Sequence, residues 1–300
     1  MNISRREFVK TSAAGIAGAS MLSWREAEAA KDTPFLGPVT LGKTGIQTSF
    51  LSFGTGTHGS NKASKQTRLG STAFIDLAQH VYDSGVRFFD AADSYGSHPF
   101  LKEAFRQVPR ENITLLSKLW NRPSDWANFT TAQAAVDRFR KEMDQDYIDI
   151  VLMHCMVDGD WTTRYRKVMD GLSELKVKGV IGSYGASFHS IYALQAAIKS
   201  DWPEILLARI NDTGTLMDHY PNVVAPMLQQ ARKDGKGVIG MKIFGGGKTK
   251  TDEQRESSLN FVMKANVVDM VTMGFGSALE FDDAIQRMKR ISKDTETKKG

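Results

Sequence analysis

Short runs of apolar residues alternate along the chain with longer stretches in which apolar positions return every three or four residues. The short runs predict strands over Phe50–Phe53, Val86–Asp90, Ile113–Lys118, Ile148–His154, Val180–Ser187, Ile205–Asn211, Gly237–Lys242 and Val268–Met273. The longer stretches predict helices. Phe74, Leu77, Ala78 and Val81 share one face of the first, and Val168, Leu172 and Leu175 share a face of another that stops at Gly179. Further helices are expected near Phe100–Arg106, Thr131–Asp144, Ser190–Ser200, Val223–Asp234, Asp252–Lys264 and Ala278–Ile291. Glycine follows several of them, as at Ser84-Gly85, Lys178-Gly179 and Asp234-Gly235, as helix C-termini require.

Strand and helix therefore alternate, the order that builds a parallel sheet with right-handed crossovers. Such a sheet either stays open or closes into a (β/α)8 TIM barrel. Two patterns favour closure. No G-x-G-x-x-G follows the first strand, so the phosphate turn of an open dinucleotide-binding sheet is missing. Polar residues capable of chemistry also end six different strands: Asp90, Lys118, His154, Ser187, Asn211 and Lys242. A closed barrel brings those ends to one mouth.

With 41% hydrophobic and 24% charged residues, the 300-residue α/β chain has ample material for a core, which excludes a disordered or fibrous protein. A single cysteine, Cys155, excludes an internal disulfide and any multi-cysteine metal site. The net charge of +5 is spread thinly, without a basic run, so nucleic acid is not an expected partner. No apolar stretch is long enough to span a membrane.

The N-terminus changes the picture more. Ser4-Arg5-Arg6-Glu7-Phe8-Val9-Lys10 precedes a weakly apolar stretch rich in Ala and Gly, and Ala27-Glu28-Ala29 follows. This resembles a twin-arginine signal peptide cleaved after Ala29. It implies a cargo folded around its cofactor and passed by the twin-arginine translocation machinery to the periplasm. The expected division is residues 1–29 as signal, 30–292 as one barrel with a short N-terminal hairpin, and 293–300 as a flexible tail that frays.

The second, third and fourth strands carry the most informative residues. Their segments read Phe89-Asp90-Ala91-Ala92-Asp93-Ser94-Tyr95-Gly96, Leu116-Ser117-Lys118-Leu119-Trp120 and Tyr147-Ile148-Asp149-Ile150-Val151-Leu152-Met153-His154. A buried Lys118 paired with Asp90 stays cationic. Beside it, the Tyr95 phenol is expected to fall from near 10 toward working pH and act as general acid and base. His154 is placed to orient a carbonyl by hydrogen bonding.

These segments resemble the aldo-keto reductase family, whose D-x-A-x-x-Y-G, S-K-L-W and Y-I-D-x-x-x-x-H motifs recur here in order. Leu41-Gly42-Lys43-Thr44-Gly45 and Ser52-Phe53-Gly54-Thr55-Gly56 are similar to the family's opening hairpin and first strand, and the resemblance covers residues 38–291. It implies an oxidoreductase that uses NADP or NAD, with Tyr95, Asp90, Lys118 and His154 catalytic and a small aldehyde or ketone as substrate.

The resemblance also assigns cofactor residues. Ser187 stands where the family's serine holds the nicotinamide carboxamide, but Phe188 replaces the usual Asn, Leu207 a Gln, and Met241 a tyrosine that stacks on the ring. Asn211, Lys242 and Phe244 are expected to touch the cofactor. Gly245, in Gly245-Gly246-Gly247-Lys248, and Gly274, Gly276 and Ser277, in one turn, are expected to offer backbone N–H groups to its phosphates. Many members hold a 2′-phosphate with a Lys and an Arg where this chain has Gly274 and Glu280. Glu280 would repel it, so NADP follows from family habit alone.

Trp120, Met156 and Trp161 are expected to line the substrate mouth. Cys155 reads as a wall residue, because neighbours on a strand face opposite ways. Two rival functions remain. One is an exported nucleotide-binding or regulatory barrel with little turnover, suggested by the missing carboxamide contacts. The other is a metal hydrolase built from Asp90, Asp93, His98 and His154, which leaves the Lys–Tyr pair idle.

Overall fold

The computed structural model describes residues 36–122 and 131–297. The expected signal peptide, the start of the 30–292 unit and residues 298–300 lie outside the described residues.

The chain opens with an antiparallel hairpin, β1 (Pro38–Thr40) with β2 (Gln47–Ser49). Eight parallel strands follow: β3 (Leu51–Gly54), β4 (Phe88–Asp90), β5 (Thr114–Leu119), β6 (Ile148–Met156), β7 (Ile181–Phe188), β8 (Ile205–Arg209), β9 (Gly237–Met241) and β10 (Met270–Met273). They form a closed barrel in chain order. The last strand pairs with the first, Val271, Thr272 and Met273 standing opposite Leu51, Ser52 and Phe53. The helices are α1 (Ser71–Asp83), α2 (His98–Ala104), α3 (Ala132–Met143), α4 (Trp161–Arg164), α5 (Arg166–Val177), α6 (Ile191–Lys199), α7 (Pro221–Lys233), α8 (Asp252–Lys264) and α9 (Ala278–Thr297). The fold is thus the (β/α)8 barrel that the alternation implied.

Two cores hold it. Inside the barrel, Phe88, Leu116, Ile150, Leu152, Ile205, Leu207, Ile239 and Met270 pack together, joined by Leu41 from the hairpin turn. Leu41 lies against Gly237 where β9 begins, so the hairpin stoppers the end of the barrel opposite the mouth. The outer core lies between strands and helices. There α1 buries Phe74, Leu77, Ala78 and Val81, the face its periodicity specified.

Local chemistry moves several boundaries. The Val86 N–H bonds Val81 O at the end of α1, so Val86 belongs to the helix stop and β4 starts at Phe88. One helix was expected after the fourth strand of the barrel, and two form, α4 and α5, on either side of Tyr165. Thr131 caps α3, and Thr251 with Gln254 forms a capping box on α8. Helix α9 continues to Thr297, past Lys293 where fraying was expected.

The largest departure is in β6. It runs to Met156, and its register with β7 slips between Met153 and Met156. Cys155, in the slip, has φ of 65°, a left-handed conformation rare outside glycine. Its N–H is taken by Ser187 Oγ at 2.8 Å.

Candidate active site

Asp90 ends β4, Lys118 lies near the end of β5, and His154 lies near the end of β6, so three adjacent strands bring their side chains to one mouth. Lys118 is 1% and Asp90 5% exposed, and the two form an ion pair. The ammonium also donates to Ala91 O at 2.9 Å, while Thr272 Oγ1 donates to the second Asp90 oxygen at 3.0 Å. The Asp90 carbonyl oxygen in turn accepts from the N–H and hydroxyl of Thr55. Such multiple satisfaction is what makes a buried charge pair tolerable.

Tyr95 closes a single 3-10 turn, Asp93–Tyr95. Its ring lies where the Cβ atoms of any residues but glycine at 56 and 59 would stand. The turn is anchored from behind by charge. Asp93 accepts from Lys62 and from Arg138 at 2.7 and 2.8 Å, and Arg138 donates onward to Glu142 at 2.8 Å. Glu142 meets His98 Nδ1 at 2.6 Å, and His98 Nε2 meets Ser117 Oγ at 2.8 Å. Although burial opposes it, hydrogen bonds from His98 and Arg138 bring the Glu142 carboxyl down to about 2. Asp93 and His98, donors in the metal-hydrolase alternative, are committed to this network. Among the described residues no group of three or more His, Cys, Asp or Glu is arranged around a cation site.

The Tyr95 expectation needs correction. Burial pushes its phenol well above the usual value, and Asp90 and Cys155 push it further. The Lys118 ammonium is engaged by Asp90 and sits 4.8 Å from the centre of the tyrosine ring, so it does not pull the phenol down. Tyr95 therefore holds its proton at rest. Burial keeps His154 neutral too, well below its usual value, with Lys118, His189 and Arg122 adding positive charge against protonation. Tyr95 Oη lies 3.5 Å from His154 Nε2, and Ser94 Oγ lies 3.4 Å from Nδ1.

A cavity of about 370 Å³ starts at Asp90 and Tyr95 and reaches Lys65, Lys250 and Arg255 beside α9. Met241, Lys242, Phe244 and Gly274 line it, as expected of cofactor residues. Other assignments change. The Asn211 amide is consumed locally: Nδ2 donates to Thr215 O and Lys242 O, and Oδ1 accepts from the N–H groups of Thr213 and Thr215. It shapes the loop after β8 and has nothing left for a cofactor. Gly245 is buried beneath the loop, against Thr215. The Gly276 N–H donates to Glu280 Oε2 at 2.6 Å, and Ser277 Oγ accepts from the Glu280 N–H at 3.2 Å, so both serve the first turn of α9. Glu280 also takes Lys65 at 3.1 Å. Burial works against the Glu280 charge, yet Gly276 and Lys65 hold its carboxyl below the usual range. Ser187 Oγ accepts from the Cys155 N–H, and its proton and second lone pair remain to offer.

On the substrate side, Trp120 stands perpendicular to His154 at 5.5 Å, in the mouth. Met156 and Trp161 do not line it. After the β6 slip, Met156 faces the outer core, and Trp161 is fully buried there, donating to Ala193 O at 3.0 Å and packing on Phe188 and Trp202. Cys155 is half-buried and close enough to Tyr95 to affect its proton, so it is not a simple wall residue. Lys65, Asn121 and Arg122 escaped sequence reasoning because loop residues carry no periodic signal, and Arg255 because it lies on the polar positions of α8.

The closed parallel barrel, with a lysine–aspartate pair, tyrosine and histidine at its C-terminal mouth, defines a TIM-barrel protein whose site faces one elongated cavity. The chain belongs to the aldo/keto reductase family, whose sequence profile matches residues 51–298. It is 25% identical to the NAD(P)H-dependent D-xylose reductase I,II of Candida tropicalis over 200 residues, 57% of this chain and 58% of that protein. It is 28% identical to human aldo-keto reductase family 1 member A1 over 135 residues, 36% of this chain and 40% of that one. The match thus spans only about half the length of these curated relatives. Among solved structures, an aldo-keto reductase from Pseudomonas aeruginosa superposes with a TM-score of 0.71 at 21% identity, covering 88% of this chain and 98% of that one. One from Bacillus halodurans, in its holo form, gives 0.67 at 18%, covering 84% and 90%.

Proposed function

We propose that this protein is an exported oxidoreductase that moves a hydride between a nicotinamide dinucleotide and an aldehyde or ketone. The observation that carries this reading is the convergence of Tyr95 and His154, 3.5 Å apart, beside the buried Lys118–Asp90 pair, at one end of a cavity whose other end is lined by Lys65, Lys250 and Arg255. The cavity suits a ligand with an uncharged reactive end and an anionic tail, and its volume is in the range of cofactor pockets. Met241, Lys242, Phe244 and Gly274 would hold it. When bound, the nicotinamide supplies or accepts the hydride.

The chain's residues do the rest. His154, neutral, donates from Nε2 to the carbonyl oxygen while the Ser94 hydroxyl donates to Nδ1, which fixes the tautomer. Tyr95 gives its proton to the same oxygen as charge develops there, and takes it back in alcohol oxidation. The phenolate left behind lies next to Lys118, which Asp90 and the Ala91 carbonyl hold in place while Thr272 holds Asp90. The raised phenol pKa keeps Tyr95 protonated before the hydride moves. Because Glu280 already occupies Gly276 and Lys65, an added phosphate is disfavoured, and NADH is the expected partner over NADPH. Export rests on the pattern in residues 1–29 alone.

A second reading, a barrel that binds nucleotide with little turnover, is favoured by the commitment of Asn211 and Gly276 to local bonds. One experiment separates the two. The protein is purified from the periplasmic fraction, its bound nucleotide identified by mass spectrometry, and NADH and NADPH oxidation measured with a panel of aldehydes and ketones. Turnover that falls roughly 10²- to 10⁴-fold in Tyr95→Phe supports the reductase. Bound nucleotide without turnover selects the second reading, and protein found only in the cytoplasm removes export.

A further inference from the structure

The end of β5 carries polar groups that the reaction above does not use. Asn121, beside Trp120, is only 8% exposed, yet among the described residues neither atom of its side-chain amide has a hydrogen-bond partner. Buried amides are almost always satisfied, and one left open next to a reactive mouth marks a place where an arriving molecule completes it. Arg122 follows, with its guanidinium over the Trp120 indole, 4.3 Å from the ring centre. Among the described residues its buried Nε has no partner, and no carboxylate is in ion-pair contact with it.

Trp120 and Arg122 lie beside the reacting groups. The Trp120 ring stands edge to face with His154 at 5.5 Å, and the Arg122 charge is felt at both His154 and His189. Other cations of the mouth are already answered: Lys118 by Asp90 and Arg209 by Asp218 at 2.7 Å. Lys242 faces the elongated cavity instead. Arg122 is thus a partly desolvated, unanswered guanidinium at the substrate end, on an aromatic platform that limits its motion. Its planar fork matches a carboxylate.

Resting on the carbonyl-reductase reading, we propose that the substrate is an aldehyde or ketone bearing a carboxylate, which Arg122 grips with help from the Asn121 amide while the carbonyl reaches Tyr95 and His154. The test compares 4-carboxybenzaldehyde with its neutral analogue 4-carbamoylbenzaldehyde, as a ratio of kcat/KM at saturating nicotinamide cofactor. The wild-type ratio is expected to favour the carboxylate about 10- to 100-fold. In Arg122→Met it falls to near one, and Arg122→Lys restores part of it. A second arm needs no turnover: calorimetric titration with benzoate and with benzyl alcohol, where Arg122→Met removes the preference for benzoate. A wild-type ratio near one in an active enzyme overturns the subsite and leaves the reductase standing. Absence of any carbonyl reduction, with Arg122-dependent benzoate binding, overturns the reductase and keeps the anion subsite. Benzoate binding that is absent, or equal in wild type and Arg122→Met, overturns the subsite whatever the activity.

Discussion

The ends of β4, β5 and β6 and the ends of β8, β9 and β10 face the same mouth but are built on opposite terms. On the first side, Arg122 apart, the charges are set against partners that are themselves held: Lys118 by Asp90, Asp90 by Thr272, and the Tyr95 turn by Asp93, Arg138 and Glu142. On the other side the groups that would meet a ligand are either open, as Lys242 is to the cavity, or turned onto their own loops, as Asn211 and the Gly276 N–H are. The chemistry is therefore preorganised, and the binding surface has to exchange partners when a ligand arrives. Fixed dipoles lower a barrier without reorganising, whereas exchanged hydrogen bonds return little net affinity.

The sharpest way to break this contrast is Lys118→Met, which strands the Asp90 carboxylate in the barrel. A loss of about 3–5 kcal/mol is expected, with most of it recovered in the double variant Lys118→Met/Asp90→Leu. Thermal unfolding monitored by circular dichroism reads it. If the single and double variants unfold at the same temperature, the pair is not the tightly coupled unit described.

Acid titration distinguishes the two sides by sign. Glu142 behind Tyr95 is lowered to about 2, so the native state resists its protonation, and the stability it contributes is lost as pH falls from about 4.5 to about 2. Asp218, after β8, is raised to about 6 because burial outweighs Arg209, so the native state binds its proton more readily than the unfolded chain. Its contribution is lost as pH rises from about 4 to about 6. Denaturant unfolding across this range should show a shallower acid limb in Glu142→Gln, by about 2–3 kcal/mol at most. Asp218→Asn should instead remove the decline between pH 4 and 6, and a matching response of both variants would erase the distinction.

The smallest effect is expected at Glu280→Gln. Removing that charge frees Lys65 for an incoming phosphate, and NADPH should tighten relative to NADH by roughly 5- to 10-fold. Fluorescence titration of both nucleotides measures the ratio. An unchanged ratio would mean that the Lys65–Glu280 pair does not select the cofactor.

Much of this was legible in the chain because barrels write themselves in repeats. Apolar runs and amphipathic stretches located all eight strands, and strand-end polarity put Asp90, Lys118 and His154 in one place. What escaped depended on single backbone irregularities or on contacts far apart in sequence. The slip at Cys155 breaks the two-residue alternation, and with it the expectation for Met156 and Trp161. The direction of the Tyr95 shift depends on where the Lys118 charge is spent, which motif spacing does not encode. Asn211 looked like a ligand residue because it ends a strand, yet its amide closes a turn of five residues, from Asn211 to Thr215. Lys65 and Glu280 lie 215 residues apart, beyond any local pattern.

That separation has a consequence for biosynthesis. Lys65 belongs to the loop after the first barrel strand, and Glu280 to the helix after the last. At typical translation rates the two leave the ribosome roughly 10 to 40 s apart. Until α9 emerges, the cation-rich end of the cavity lacks the wall that Glu280 and Asp283 supply. On the nucleotide-binding reading proposed above, capture would then wait for the last helix, the step at which a nascent barrel closes that end of the cavity.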